Sequence, residues 1–342
     1  MNARIGLSLA TTLGAAWLLA GCERTPVDVV QRGYRGVAMG EVYNPRTEAV
    51  LAAANQAPAA VSPEPGSEGP LATSAYKNVQ VLTDLNVAQF TRLMLAMTQW
   101  VAPPGQTCNY CHSTDLASDD NYRKVVARTM LRMVRHINSD WKDHVGATGV
   151  TCYTCHRGQD LPANIWYVDP GPAHASAMAG NKAGQNAPAE SVALASLPND
   201  PFTPFLDGQP ANIRIQSLTA LPEGNRSSIK QAEWTYGLMI HMSKSLGVNC
   251  TYCHNSRAFE NWDESTPQRA TAWYGIRMVR DANTSYLAPL ASTLPADRKG
   301  PLGDVAKINC ATCHQGVYKP LYGVSMLKDY PELSGQQSAG QQ

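Results

Sequence analysis

Charge is scarce in this 342-residue chain, at 16% Asp, Glu, Lys and Arg against about 25% in ordinary globular domains. The two signs nearly cancel, with a formal net charge of +1, and no stretch gathers Lys and Arg into a basic patch. Nucleic acid is thereby excluded as a partner. A continuous membrane span is missing too. The apolar run Ile5 to Ala20, IGLSLATTLGAAWLLA, falls short of the about 20 residues that cross a bilayer comfortably. No convincing run of alternating strands appears, and no residue set looks suited to protonating a substrate. Scarce charge fits a protein with much of its surface buried.

Cysteine is the exception, because there are nine and eight fall into one pattern. Cys108-Asn-Tyr-Cys111-His112, Cys152-Tyr-Thr-Cys155-His156, Cys250-Thr-Tyr-Cys253-His254 and Cys310-Ala-Thr-Cys313-His314 all read C-x-x-C-H. That spacing presents two sulfurs to a porphyrin edge for thioether formation and the adjacent imidazole to the iron. A zinc site or a thioredoxin-like pair would use C-x-x-C, but neither requires the histidine that follows every copy. Four copies predict four covalent haem c groups, with His112, His156, His254 and His314 as proximal iron ligands.

The ninth cysteine, Cys22, ends Leu19-Ala20-Gly21-Cys22 after Arg4 and the apolar run. This resembles a bacterial lipoprotein box, so residues 1–21 read as a cleaved signal peptide. Cys22 becomes a lipid anchor that holds the mature chain to a membrane. An ordinary signal cleaved nearby would instead leave Cys22 a free thiol.

Internal repetition organises the remainder. The first and third motifs carry tyrosine before the second cysteine; the second and fourth carry threonine there and glycine two positions past the histidine (Gly158, Gly316). Leu131-Arg132-Met133-Val134-Arg135 before the second motif matches Ile276-Arg277-Met278-Val279-Arg280 before the fourth. The chain therefore reads as a two-haem unit used twice. Residues 22–75 form a lipid-anchored extended segment, 76–168 a first dihaem unit and 169–211 a connector. Residues 212–330 form a second dihaem unit and 331–342 a flexible tail.

Apolar spacings of three and four predict a helix from Phe90 to Trp100, stopped by Pro103-Pro104-Gly105, and another from Tyr122 through Ile137. A third runs over Leu238 to Leu246 and ends at Gly247. A fourth opens at Thr266-Pro267, with threonine placed to cap it. The expected fold is mainly α, a multihaem cytochrome c of two pseudo-symmetric dihaem units. Haems form much of the core, and strands are few.

An electron-transferring haem fills both axial positions, and methionine is a usual partner of histidine. The helices before the motifs offer Met94 or Met97, Met130 or Met133, and Met239 or Met242. Aligning the repeats places Met130 opposite Gly275, so the fourth haem lacks the equivalent methionine; His144 or Met278 could serve it. His136, His174 and His241 read as structural or exposed. The matched arginines Arg132, Arg135, Arg277 and Arg280 could face haem propionates or a solvated helix surface.

The four motifs, the lipoprotein box, FTRLMLAMTQW (Phe90 to Trp100), HVGATGVTCYTCHRG (His144 to Gly158) and WYGIRMVRD (Trp273 to Asp281) together resemble the tetrahaem cytochrome subunit of purple-bacterial photosynthetic reaction centres. The resemblance implies Met94, Met130 and Met239 as distal ligands of the first three haems and His144 as that of the fourth. It implies a near-linear row of haems, with the third-motif haem beside the bacteriochlorophyll pair and the first-motif haem at the far end. Its implied partners are the reaction-centre membrane subunits and a soluble donor, either a cytochrome c or a high-potential iron–sulfur protein. The location is the periplasmic face of the inner membrane, and the activity is electron transfer rather than enzymatic turnover. A freestanding multihaem carrier and a multihaem reductase are the competing readings.

Overall fold

The computed structural model describes residues 27–31, 40–168, 189–215 and 229–335. Cys22, the signal segment 1–21, His174, most of the connector and residues 336–342 lie outside the described residues.

In chain order the elements are β1 (Asp28–Gln31), β2 (Gly40–Tyr43), α1 (Pro45–Ala54), α2 (Ala72–Ala75), α3 (Val87–Val101), α4 (Tyr122–Asp140), α5 (Lys142–Val145), α6 (Cys152–His156), α7 (Thr203–Leu206), α8 (Ile229–Leu246), α9 (Pro267–Asp281) and α10 (Cys310–His314). The fold is mainly α, as expected. The sheet among the described residues is the single antiparallel pairing of β1 with β2, in the register Val29↔Val42.

The long helices begin and end where local chemistry dictates. At α3, Asn86 accepts from the Gln89 amide while the Gln89 side chain returns to the Asn86 amide, a reciprocal cap that satisfies two orphan donors. At α4, Asn121 caps through the Arg123 amide. Thr266 takes the N-cap position of α9, as the sequence suggests, but makes no capping bond. Its hydroxyl donates to the Tyr252 carbonyl at 2.6 Å instead. The tertiary contact takes the hydroxyl, and Pro267 at the first helical position opens the helix without it. The segment 22–75, read as extended, contains the β-pairing and the ten-residue α1, whose start is fixed by the Asn44 cap and Pro45.

Two apolar cores hold the helices. The central one takes Met133 and Ile137 from α4, Leu238 from α8, and Ile276, Met278 and Val279 from α9. The other joins Leu93, Ala96 and Trp100 of α3 to Leu131 and Val134 of α4, and also to Leu321, Met326, Tyr330 and Leu333. The segment from Leu321 to Leu333 thus returns across α3 and α4. Leu333 is 0% exposed, and the Asn138 amide donates to its carbonyl at 2.7 Å. Burying a leucine stabilises by about 2 kcal/mol, which is enough to pin the start of the segment read as a flexible tail. No described helix is long and apolar enough to cross a membrane.

Candidate functional site

The four C-x-x-C-H motifs adopt two local forms, and the forms alternate. The first and third are single 3₁₀ turns, Cys108–Tyr110 and Cys250–Tyr252. In both, the histidine amide closes back on the first cysteine carbonyl at 3.0 Å. The second and fourth are one-turn α-helices, α6 and α10.

The residue between the cysteines decides the form. In α6 the Thr154 hydroxyl accepts the Thr151 amide at 2.9 Å, and in α10 the Thr312 hydroxyl accepts the Asn309 amide at 3.0 Å. Each threonine thereby caps its own turn. Both turns end on a left-handed residue, Arg157 (φ 53°) or Gln315 (φ 50°), followed by Gly158 (φ 81°) or Gly316 (φ 86°). Glycine suits that position, and its amide then donates to the C-terminal end of a long helix further back in the chain, α3 or α8. Gly158 reaches the Trp100 carbonyl and Gly316 the Ser245 carbonyl, both at 2.8 Å. In the 3₁₀ form the tyrosine carbonyl is used instead. Tyr110 accepts from Asn121 Nδ2 and Tyr252 from the Thr266 hydroxyl, each donor being the N-cap residue of the next helix.

The histidines are presented for ligation. The Nδ1 atoms of His156, His254 and His314 lie 2.8, 2.8 and 3.0 Å from the carbonyls of Gln159, Phe259 and Val317. A carbonyl can only accept, so Nδ1 carries the proton and Nε2 offers its lone pair. His112 is the exception, its buried Nδ1 having no hydrogen-bond partner. Burial pushes all four imidazole pKa values down, His314 to about 4 with help from neighbouring His144. Each is therefore neutral at physiological pH.

Burial pushes the Cys152 and Cys310 thiols up to about 12 and Cys253 to about 11. Among the described residues no three His, Cys, Asp or Glu side chains converge on a metal-sized point. The α6 and α10 turns stand back to back, with Cys155 and Cys313 Sγ atoms 2.7 Å apart.

The distal candidates separate by burial. Met133 and Met278, at matched positions of the repeat, both lie inside the central core at 7% and 6% exposure. Met130 and Met239 are half-buried at the margin of that core, and Met94 at the margin of the other. Met97 and Met242 are also half-buried, so exposure alone does not rank them below Met94 and Met239.

His144 lies on α5 and faces His314 with ring centroids 6.1 Å apart. An imidazole nitrogen binds a first-row metal at about 2 Å, and the ring centroid stands about 1 Å behind it, so two imidazoles on one iron lie about 6 Å apart. The centroid spacing of the two rings thus matches that of two imidazoles on one iron. His144 Nδ1 donates to the Thr271 carbonyl at 2.9 Å, leaving Nε2 free.

The remaining described histidines, His136 and His241, are committed elsewhere. His136 sits between Asp140 (2.8 Å) and Asp281 (2.7 Å). In His241, Nδ1 faces the Ser191 carbonyl and Nε2 the Ser245 hydroxyl. Arg135 makes two bonds to Asp84 and a third to the Glu332 carbonyl, so its guanidinium serves as an internal tie. The sequence missed these ties because their partners lie 51 and 197 residues away.

Residues 23–334 match the family described as photosynthetic reaction centre cytochrome C subunit. Proteins named photosynthetic reaction center cytochrome c subunit include one from Rubrivivax gelatinosus (strain NBRC 100245 / IL144), 56% identical over 95% of this chain and 88% of that one. One from Thermochromatium tepidum is 54% identical over 95% of this chain and 79% of its own length. One from Roseobacter denitrificans (strain ATCC 33942 / OCh 114) is 43% identical over 80% and 75%. With its attachment turns, free imidazole nitrogens and matching sequence, the chain belongs to the family of photosynthetic reaction centre cytochrome c subunits.

Proposed function

We propose that this electron carrier of the photosynthetic reaction centre holds four covalently bound haem c groups and relays electrons from a soluble periplasmic donor to the photo-oxidised bacteriochlorophyll pair. The eight motif cysteines form the thioethers, and His112, His156, His254 and His314 are the proximal ligands. Met94, Met130, Met239 and His144 are the distal ligands of haems one to four. Two pseudo-symmetric dihaem units carry them, and Cys22 anchors the chain by lipid at the periplasmic face of the membrane.

When bound, haem supplies an iron that gains or loses one electron. The residues of the chain supply everything else. The carbonyls of Gln159, Phe259 and Val317 fix the tautomer of three proximal imidazoles, which keeps each ring from turning and strengthens it as a donor. Methionine at three sites favours higher potentials, and imidazole at the fourth favours a lower one. Apolar packing around α3, α4, α8 and α9 excludes water. No proton moves in this scheme, which relies on axial saturation and close attachment.

The observation that carries the reading is the pairing of His144 with His314, ring centroids 6.1 Å apart and planes inclined at 65°. A reductase would keep one iron open, whereas this pairing closes the site that lacks a methionine. Replacing His144 by methionine should raise the potential of a single haem in a haem-resolved redox titration of the membrane complex. Four unchanged potentials would remove His144 from the ligand set. Carbon monoxide binding to the fully reduced native protein would favour a catalytic haem, and loss of flash-induced haem oxidation in membranes would favour a freestanding carrier.

A further inference from the structure

The two halves differ at one point of α9. Gly275 occupies the position that Met130 holds in α4, and a Cβ added there would lie 2.6 Å from His144 Cε1 and 2.8 Å from its Nδ1. Those atoms belong to a ring that cannot bend aside, so any side chain at 275 displaces it. Four residues earlier on α9, the Thr271 carbonyl holds the His144 Nδ1 proton.

A third contact sits at the end of the same helix. Asp281 Oδ2 accepts from Trp141 Nε1 at 3.0 Å and from His136 Nε2 at 2.7 Å, while Oδ1 accepts from Ser285 at 2.7 Å. Trp141 is the N-cap residue of α5, and its carbonyl accepts the His144 amide at 2.9 Å. The carboxylate therefore holds the turn from which His144 projects. Matched His136 and Asp281, aligned in the two repeats, meet across the halves.

We propose that α9 selects and seats the distal ligand at the fourth motif. Gly275 leaves a space that an imidazole fills and a side chain of its own would close, and Asp281 is the positioning residue that places Trp141 so that His144 reaches it. The inference rests on His144 as the distal ligand, and the controls separate the two claims.

The test uses the assembled membrane complex with Gly275→Ala, Asp281→Ala and Trp141→Phe, and with His144→Ala as calibrator. Trp141→Phe keeps an aromatic ring and removes the N–H alone. We expect Gly275→Ala and Asp281→Ala each to raise the potential of the same haem that His144→Ala alters and to make it bind carbon monoxide when reduced. Trp141→Phe should shift that haem in the same direction by less. The other three haems should keep their native potentials and bind no carbon monoxide, which a general loss of structure would not allow. If His144→Ala alters one haem while the other three variants match the native protein, the role of α9 is overturned and the ligand assignment stands. If His144→Ala leaves all four haems unchanged, the ligand assignment fails and the inference falls with it. Should Gly275→Ala fail to assemble, Asp281→Ala and Trp141→Phe decide the matter.

Discussion

Thr154 and Thr312 show how much a single hydroxyl can fix. They are 4% and 0% exposed, and each closes its attachment turn by accepting the amide of its own N-cap residue. Valine has the same shape without the acceptor, so Thr312→Val leaves the Asn309 amide buried and unpaired. We expect a loss of about 1–3 kcal/mol, read as a fall in the thermal unfolding midpoint of the holoprotein. An unchanged midpoint would show that the cap adds nothing. The threonine was visible in the sequence as a difference between the motif pairs. Its reason was not visible, because a residue inside C-x-x-C-H reads as filler until the turn is seen to close on it. The same holds for Gly275. Alignment shows a missing methionine there, but the imbalance acquires a cause only when the His144 ring is found in the space a side chain at 275 would take.

At the scale of elements, the long helices were legible wherever apolar spacing coincided with punctuation. Pro103-Pro104-Gly105 bounds α3, Gly247 follows α8 and Pro267 opens α9. α1 escaped because it presents no buried face, so its residues carry no periodic signal, and Asn44 with Pro45 alone marks it. Pairings between elements were equally hidden. Arg92 of α3 is 4% exposed; it stacks over the Tyr330 ring at 4.1 Å, donates to the Ser62 carbonyl and faces Glu332 at 3.6 Å. Desolvation pushes the Glu332 carboxyl pKa up, which marks the pair as expensive to bury. Removing one partner of a buried pair costs about 3 kcal/mol or more. Arg92→Ala should lower the stability of the holoprotein by that order in denaturant titration and expose the Pro331–Leu333 turn to protease. A variant as stable and as resistant as the native chain would show that the pair does not hold the chain end.

For the molecule as a whole, the links between the two halves depend on acid. Asp160, just past the second motif, binds Arg298 at 2.7 Å and accepts the Tyr110 hydroxyl at 2.8 Å. Asp281 of the second half holds His136 and Trp141 of the first. Burial opposes ionisation of both carboxylates, but their hydrogen bonds and nearby positive charge outweigh it, and each titrates below its ordinary value of 3.8. The unfolded chain therefore takes up these protons first. The stabilisation is complete well above pH 3.8 and disappears as the pH falls through that value toward the lower folded ones. Melting temperatures measured between pH 6 and pH 3 should drop in that lower range, and Asp160→Asn should make the curve shallower. An equally steep curve in the variant would remove Asp160 from the acid response. The alternation of the two motif types was readable in the sequence, but this cross-bracing was not, since its carboxylates carry no motif.

The meeting of Cys155 with Cys313 gives each thiol an oxidation partner in the haem-free chain, and a disulfide formed there would take one sulfur from the second motif and one from the fourth.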